Sequence, residues 1–75
     1  MNDARRKIIS NAVIVLEQAQ GAIQQARDEE QEAFDNLPEG VQASDRGQKM
    51  EAWIDALSEA DDSIGEAIEK LGEPE

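Results

Sequence analysis

The sequence predicts an all-α protein: an antiparallel two-helix hairpin with a long structured joint, self-associating into a helical bundle. Two long segments repeat apolar residues at alternating steps of three and four, a break rich in Pro and Gly separates them, and the chain's opposite charges meet only if it folds back. Its 75 residues form one domain, 1–75, with a helix over about 3–36, a joint over about 37–44 and a helix over about 45–71. A chain this short makes a marginal core unless disulfides, metals or self-association help. Cys and His are absent, so disulfides are excluded and only carboxylates remain for a hard cation. No metal and no cofactor are expected, and self-association is the expected remedy.

In the first segment Ile9, Ala12, Leu16, Ala19, Ile23, Ala26, Glu30, Ala33 and Leu37 follow a heptad seam. Its alternate positions, 12, 19, 26 and 33, are all alanine, which predicts a closely approaching partner helix on that side. Gly21 interrupts the helix only weakly. In the second segment Met50, Ile54, Leu57, Asp61, Ile64, Ile68 and Leu71 form the seam, widened by Trp53, Ala60 and Ala67. Asp45 is the expected cap of this helix, with Gln48 completing a capping box, and Gly72 followed by Pro74 is the expected stop.

Charge orients the two helices. Residues 1–27 carry Arg5, Arg6, Lys7 and Arg27 against Asp3 and Glu17, whereas residues 28–75 carry sixteen acids against Arg46, Lys49 and Lys70. An antiparallel fold sets Arg5, Arg6 and Lys7 beside Glu66, Glu69, Glu73 and Glu75. The stretch "AVIVL", residues 12–16, is apolar right around its helix, so one partner helix covers only part of it. Ile8, Val13, Ile14 and Val15 are therefore the expected oligomer interface, in a dimer of hairpins or a larger closed assembly. The net charge of −11 disfavours direct nucleic-acid binding. With no signal peptide and no apolar run of spanning length, a cytoplasmic protein with no membrane partner is expected.

The joint is the most specific stretch. Leu37 precedes Pro38 and is pushed out of helical geometry, so the first helix ends near Asn36, which then caps a short turn through Pro38 and Glu39. Arg46 and Lys49 lie near the start of the second helix, where free amides favour an anion and cations oppose the helix dipole. Trp53 is one turn further on, and Phe34 stands just before the joint. These are the chain's two aromatic rings. An aromatic face beside an anion site suits a nucleotide, so Phe34, Asn36, Asp45, Arg46, Lys49 and Trp53 are the candidate ligand residues. The structural alternative has Phe34 and Trp53 closing the hydrophobic core, and Arg46 and Lys49 pairing with Glu29, Glu30 and Glu32.

The stretch "DEEQEAFDNLPEGVQASDRGQKMEAWIDALSEADDSIGEAIEKL" resembles a group of short phage and prophage proteins. Their shared core reads E-x-A-F-D-N-L-P-E-x-x-Q-x-S-x-R-G-x-K-M and precedes an acidic helix. Val41, Ala43 and Trp53 depart from it. The resemblance implies a phage-encoded accessory protein in a bacterial host cell, and phage genomes carry small oligomeric helical proteins that sequester the nucleotide signals of host immunity. The function expected is then a non-catalytic counter-defence protein holding a cyclic ADP-ribose isomer or a cyclic dinucleotide.

Two other non-catalytic roles compete. Glu51, Asp55, Glu59, Asp62, Glu66, Glu69 and Glu73 line the outside of the second helix roughly every 5–6 Å, close to one helical pitch, and could act as a DNA-mimic decoy for a host nucleic-acid-binding protein. A purely structural assembly protein is the other. Catalysis is not expected. "EEQE" and "EADD" are similar to the magnesium carboxylates of all-helical pyrophosphohydrolases, yet such motifs are common by chance among eighteen acids, and no Cys or His activates the four serines.

Overall fold

The computed structural model describes residues 1–72. These form three helices: α1 (Asp3–Asp35), α2 (Glu39–Gln42) and α3 (Asp45–Gly72). The 33 residues of α1 rise about 50 Å at 1.5 Å each, and the whole molecule measures 58 × 15 × 14 Å. Only folding α3 back along α1 fits both helices into that length, so the chain is an antiparallel hairpin. α2 forms its corner. The segment expected to be one joint thus contains a four-residue helix of its own.

Asn2 opens α1, its Oδ1 accepting the Arg5 amide at 2.9 Å. Gly21 lies inside an unbroken helix. The expected ending near Asn36 holds: the Asn36 N–H reaches the Glu32 carbonyl at 3.1 Å, and Leu37 N reaches Phe34 O at 3.0 Å. Pro38 stands one position before the first residue of α2, and its carbonyl accepts from Val41 N and Gln42 N at 2.9 and 3.0 Å.

Two expectations about boundaries are corrected. Ser44, not Asp45, caps α3: its carbonyl accepts Gln48 N at 2.9 Å, its Oγ accepts Gly47 N at 3.5 Å, and the same hydroxyl donates to the Val41 carbonyl. The third helical residue is then Gly47, which has no side chain to close a capping box. Gln48 instead donates to Ala43 O at 3.4 Å. α3 is helical through Gly72, the last described residue, and the expected stop at Gly72 and Pro74, with Glu73 and Glu75, lies outside the described residues.

The seam of α1 is corrected as well. Ile9, Leu16, Ile23, Glu30 and Leu37 are half-buried as expected, but the alternate positions turned toward α3 are Val13, Gln20, Arg27 and Phe34. Ala12, Ala19, Ala26 and Ala33 are exposed. Val13 and Phe34 offer more apolar area to α3 than any alanine, and Gln20 and Arg27 meet a carboxylate there. On α3 the half-buried residues Met50, Ile54, Leu57, Asp61, Ile64 and Ile68 match the expected seam, while Leu71 is exposed. The charge pairing at the open end shifts too: with Gln20 against Gly65, residues 5–7 lie beyond the level of Glu66 and Glu69 rather than beside them.

Among the described residues Gly47 is the one buried residue, and no apolar side chain is fully buried. A Cβ at Gly47 would stand 2.0 Å from Gln42 O and 2.7 Å from Gln42 Cα, so α2 rests its backbone directly on the first turn of α3. The Gln42 side chain reaches the other way, donating to Phe34 O at 3.1 Å. One residue thereby ties both long helices to the corner.

Gly47→Ala is expected to destabilise the hairpin by about 1–3 kcal/mol, because backbone and not a flexible side chain has to move. A Cβ at Gly21 meets nothing within 4 Å, so Gly21→Ala is expected to stabilise by about 0.5–1 kcal/mol. Urea unfolding of both variants checks the pair. Equal small effects would remove the corner's claim to close backbone packing.

Candidate functional site

Midway along the hairpin, α1 presents Gln20, Gln24 and Arg27 to Asp61 of α3. The Asp61 Oδ1 accepts from Gln20 Nε2 at 2.9 Å and from Gln24 Nε2 at 3.0 Å, while Oδ2 accepts from Arg27 at 3.1 Å. Gln20 also lies 3.4 Å from the Asp61 carbonyl, and Arg27 makes a second pair with Asp28 at 3.2 Å. The Asp61 side chain is 14% exposed and that of Arg27 is 29% exposed, so the pair is half withdrawn from water, unlike a free surface ion pair. The bond from Gln20 holds the Asp61 carboxyl below the usual carboxylate range, with Gln24 and the Arg27 guanidinium adding to it and desolvation pulling the other way. Sequence reasoning placed Asp61 in the seam without its partners. A carboxylate at a seam position demands donors, and that demand selects the phase of α1 containing Gln20 and Arg27.

The candidate ligand residues divide. Phe34 is half-buried in the seam, in line with the structural alternative, and its carbonyl serves the corner. Asn36 ends α1 as its C-cap, and Asp45 is an exposed residue that opens α3. The amides of Gly47 and Gln48, counted as free for an anion, are bonded to Ser44. Arg46, Lys49 and Trp53 do come together, stepping by three and four along one flank of α3. Trp53 is 62% exposed and does not close the core. Lys49, Ala52, Trp53 and Ala56 line an open, mostly apolar hollow of about 330 Å³. Neither the Arg46 nor the Lys49 side chain makes an ion pair or hydrogen bond among the described residues, so the pairing with Glu29, Glu30 and Glu32 is not made there.

The candidate interface residues divide as well. Val13 is half-buried in the seam, whereas Ile8, Ile14 and Val15 are exposed at 67, 54 and 61%. Ile8 and Val15 each precede a seam residue by one position, as do Ala12, Ala19, Ala22, Ala26 and Ala33, and also Glu29 and Asn36 toward the joint. On α3 the positions preceding the seam are Arg46, Lys49, Trp53, Ala56, Ala60, Ser63, Ala67 and Lys70. In antiparallel helices these flanks fall on the same side of the hairpin. One long side is therefore mostly small and apolar, ending in Trp53 and its two cations. Ile14 belongs to the opposite, polar side with Glu17, Gln24 and Ser58.

Glu51, Asp55, Glu59, Asp62, Glu66 and Glu69 are all exposed on α3. Among the described residues no group of three or more acids is arranged to hold a metal ion, and no helix is long and apolar enough to cross a membrane. Comparison with protein families, with curated proteins and with solved structures gives no match.

The polar layer has a distinct pH signature. Its donors favour the ionised carboxylate, so its contribution is fully present above the unfolded carboxylate pKa of about 3.9 and is lost as pH falls through the lower folded value. Asp61→Asn is expected to lower the melting temperature most at pH 7, and the gap to wild type is expected to narrow below about pH 4. A gap that stays constant between pH 7 and 3 would mean that the carboxylate's charge is not what holds the layer.

Proposed function

We propose that this protein is non-catalytic and works by binding, as a self-associated helical bundle that holds a small anionic, nucleotide-like ligand. The observation that carries the ligand class is the exposed Trp53 ring over the hollow beside Lys49, with Arg46 one turn earlier and both cations unpaired among the described residues. A base stacks on the ring and a phosphate takes the two cations. Two features support self-association: a lone hairpin with no fully buried apolar side chain among the described residues, and a mostly small and apolar flank running along both helices. In the phage setting implied by the joint's sequence, such a protein would sequester a nucleotide signal of host defence.

A purely structural assembly role is the second reading. It is favoured by the corner, where Gln42, Ser44 and Gly47 are engaged in helix packing and capping.

Calorimetric titration with cyclic dinucleotides and ADP-ribose derivatives separates the two. Trp53→Ala is expected to weaken binding by about 1–3 kcal/mol through lost stacking. Arg46→Ala is expected to weaken it by about 1.5–3 kcal/mol while altering stability by less than about 0.5 kcal/mol. A wild-type protein that gives no heat with the whole panel leaves the structural role alone. Sedimentation tests the assembly: wild type is expected to run as a dimer or larger, and Ala19→Glu to run as a monomer, because the new carboxylate would be desolvated at the contact.

A further inference from the structure

We infer that the apolar flank is covered by a second copy of this chain lying antiparallel to the first, with α1 on α1 and α3 on α3. The inference rests on the self-association proposed above and adds the occupant's orientation. The flank carries Ile8, Val15 and Trp53, exposed at 67, 61 and 62%, among alanines that let another helix approach closely. A hairpin side of 58 by 15 Å is on the order of the ~800 Å² that each partner contributes to a stable interface.

Charge chooses the direction. The joint end of the hairpin, residues 28–57, carries nine acids against Arg46 and Lys49. The open end, residues 1–20 with 65–72, carries four acids against Arg5, Arg6, Lys7 and Lys70. Stacking two hairpins with their joints together sets one strongly acidic end on another. Reversing one copy sets each acidic end on a less acidic end that holds four of the chain's seven cations, which lowers the repulsion at both ends.

The register follows from packing. An axis of two-fold symmetry beside the Asp61 layer places Ala22 against the second copy's Ala26, and Val15 against its Ala33. On α3 it places Ala60 against the second copy's Ser63, and Ala56 against its Ala67. Both helices satisfy the same axis to within about one residue, given that Gln20 lies against Gly65. Lys70 of the second copy then falls beside Trp53, adding a third cation to the hollow.

The chain has no cysteine, so introduced thiols report without background. Val15→Cys and Ala33→Cys, mixed and oxidised, are expected to form a mixed disulfide dimer, while neither variant alone cross-links. Identical positions 15, or identical positions 33, lie about 27 Å apart along the axis in this arrangement, far beyond disulfide reach. A hairpin pair with joints together instead sets Val15 near the second copy's Ala67, so a link between Val15→Cys and Ala67→Cys overturns the orientation. So does a protein that sediments as a dimer but forms no link between positions 15 and 33. Wild-type protein that sediments as a folded monomer sinks this arrangement and the self-association it rests on together, and circular dichroism of each variant confirms that the thiols sit in a folded helix.

Discussion

The alignment of the two long helices depends on Asp61 finding its three donors. A seam of Ile, Leu, Val and Met on both sides has little to resist one helix sliding by a heptad, since each apolar residue would meet another of similar size. Asp61 breaks that equivalence. A slide of seven residues puts Val13, Glu17 and Gln20 in the places of Gln20, Gln24 and Arg27, or, in the other direction, Arg27, Gln31 and Phe34, so Asp61 keeps one or two donors in place of three and in the first case faces another carboxylate. Only the observed register gives Asp61 all three donors, so the layer favours that register even where its net contribution to stability is modest.

The same layer also thins the hairpin's apolar seam. Gln20 and Arg27 occupy seam positions that apolar residues would otherwise fill, and among the described residues every apolar side chain stays at least partly accessible. The alanines that would have made a drier seam are left on the neighbouring flank. α1 is thus two-sided: one stripe, with Val13, Leu16, Ile23 and Phe34, aligns α3, and the other, with Ile8, Val15 and five alanines, stands open. Apolar residues on three of seven heptad positions suit a bundle better than an isolated pair of helices.

Much of this architecture was legible from spacing. Both long helices, the break between them, the seam of α3 and the end of α1 near Asn36 follow from heptad periodicity and from Pro38, because those signals are local. The phase of α1 was not legible in the same way. Two stripes share Ile9, Leu16, Ile23 and Leu37, and hydropathy alone prefers alanine at the alternate positions over Gln20 and Arg27; only the demand of a residue 34 to 41 positions away reverses the preference. The cap shifted by one residue for a comparable reason. Ser44 and Asp45 are both good caps, and the choice falls to Ser44 because Gly47 must lie where the backbone of Gln42 can touch it. Of the candidate ligand residues, Arg46, Lys49 and Trp53 were readable as one group from their spacing, whereas Phe34 was drawn away by a seam whose phase the local pattern concealed.

The corner also answers why the connection between the helices is long. Two close-packed antiparallel helices can be joined by a short loop, but here Gln42 must fold back to the last carbonyls of α1 while its own backbone lies on α3, and that takes a helical turn of its own. Pro38, Gln42, Ser44 and Gly47 are then committed to architecture. Arg46 and Lys49 are not. Each places a cation near the amide-rich start of a 28-residue helix, where the dipole opposes it by a few tenths of a kcal/mol. Nothing among the described residues offsets that cost, and the exposed ring of Trp53 adds a second unfavourable element on the same flank. These three residues each weaken the isolated hairpin a little and share one flank of α3; the anion with an aromatic face and the second hairpin proposed above would account for them together.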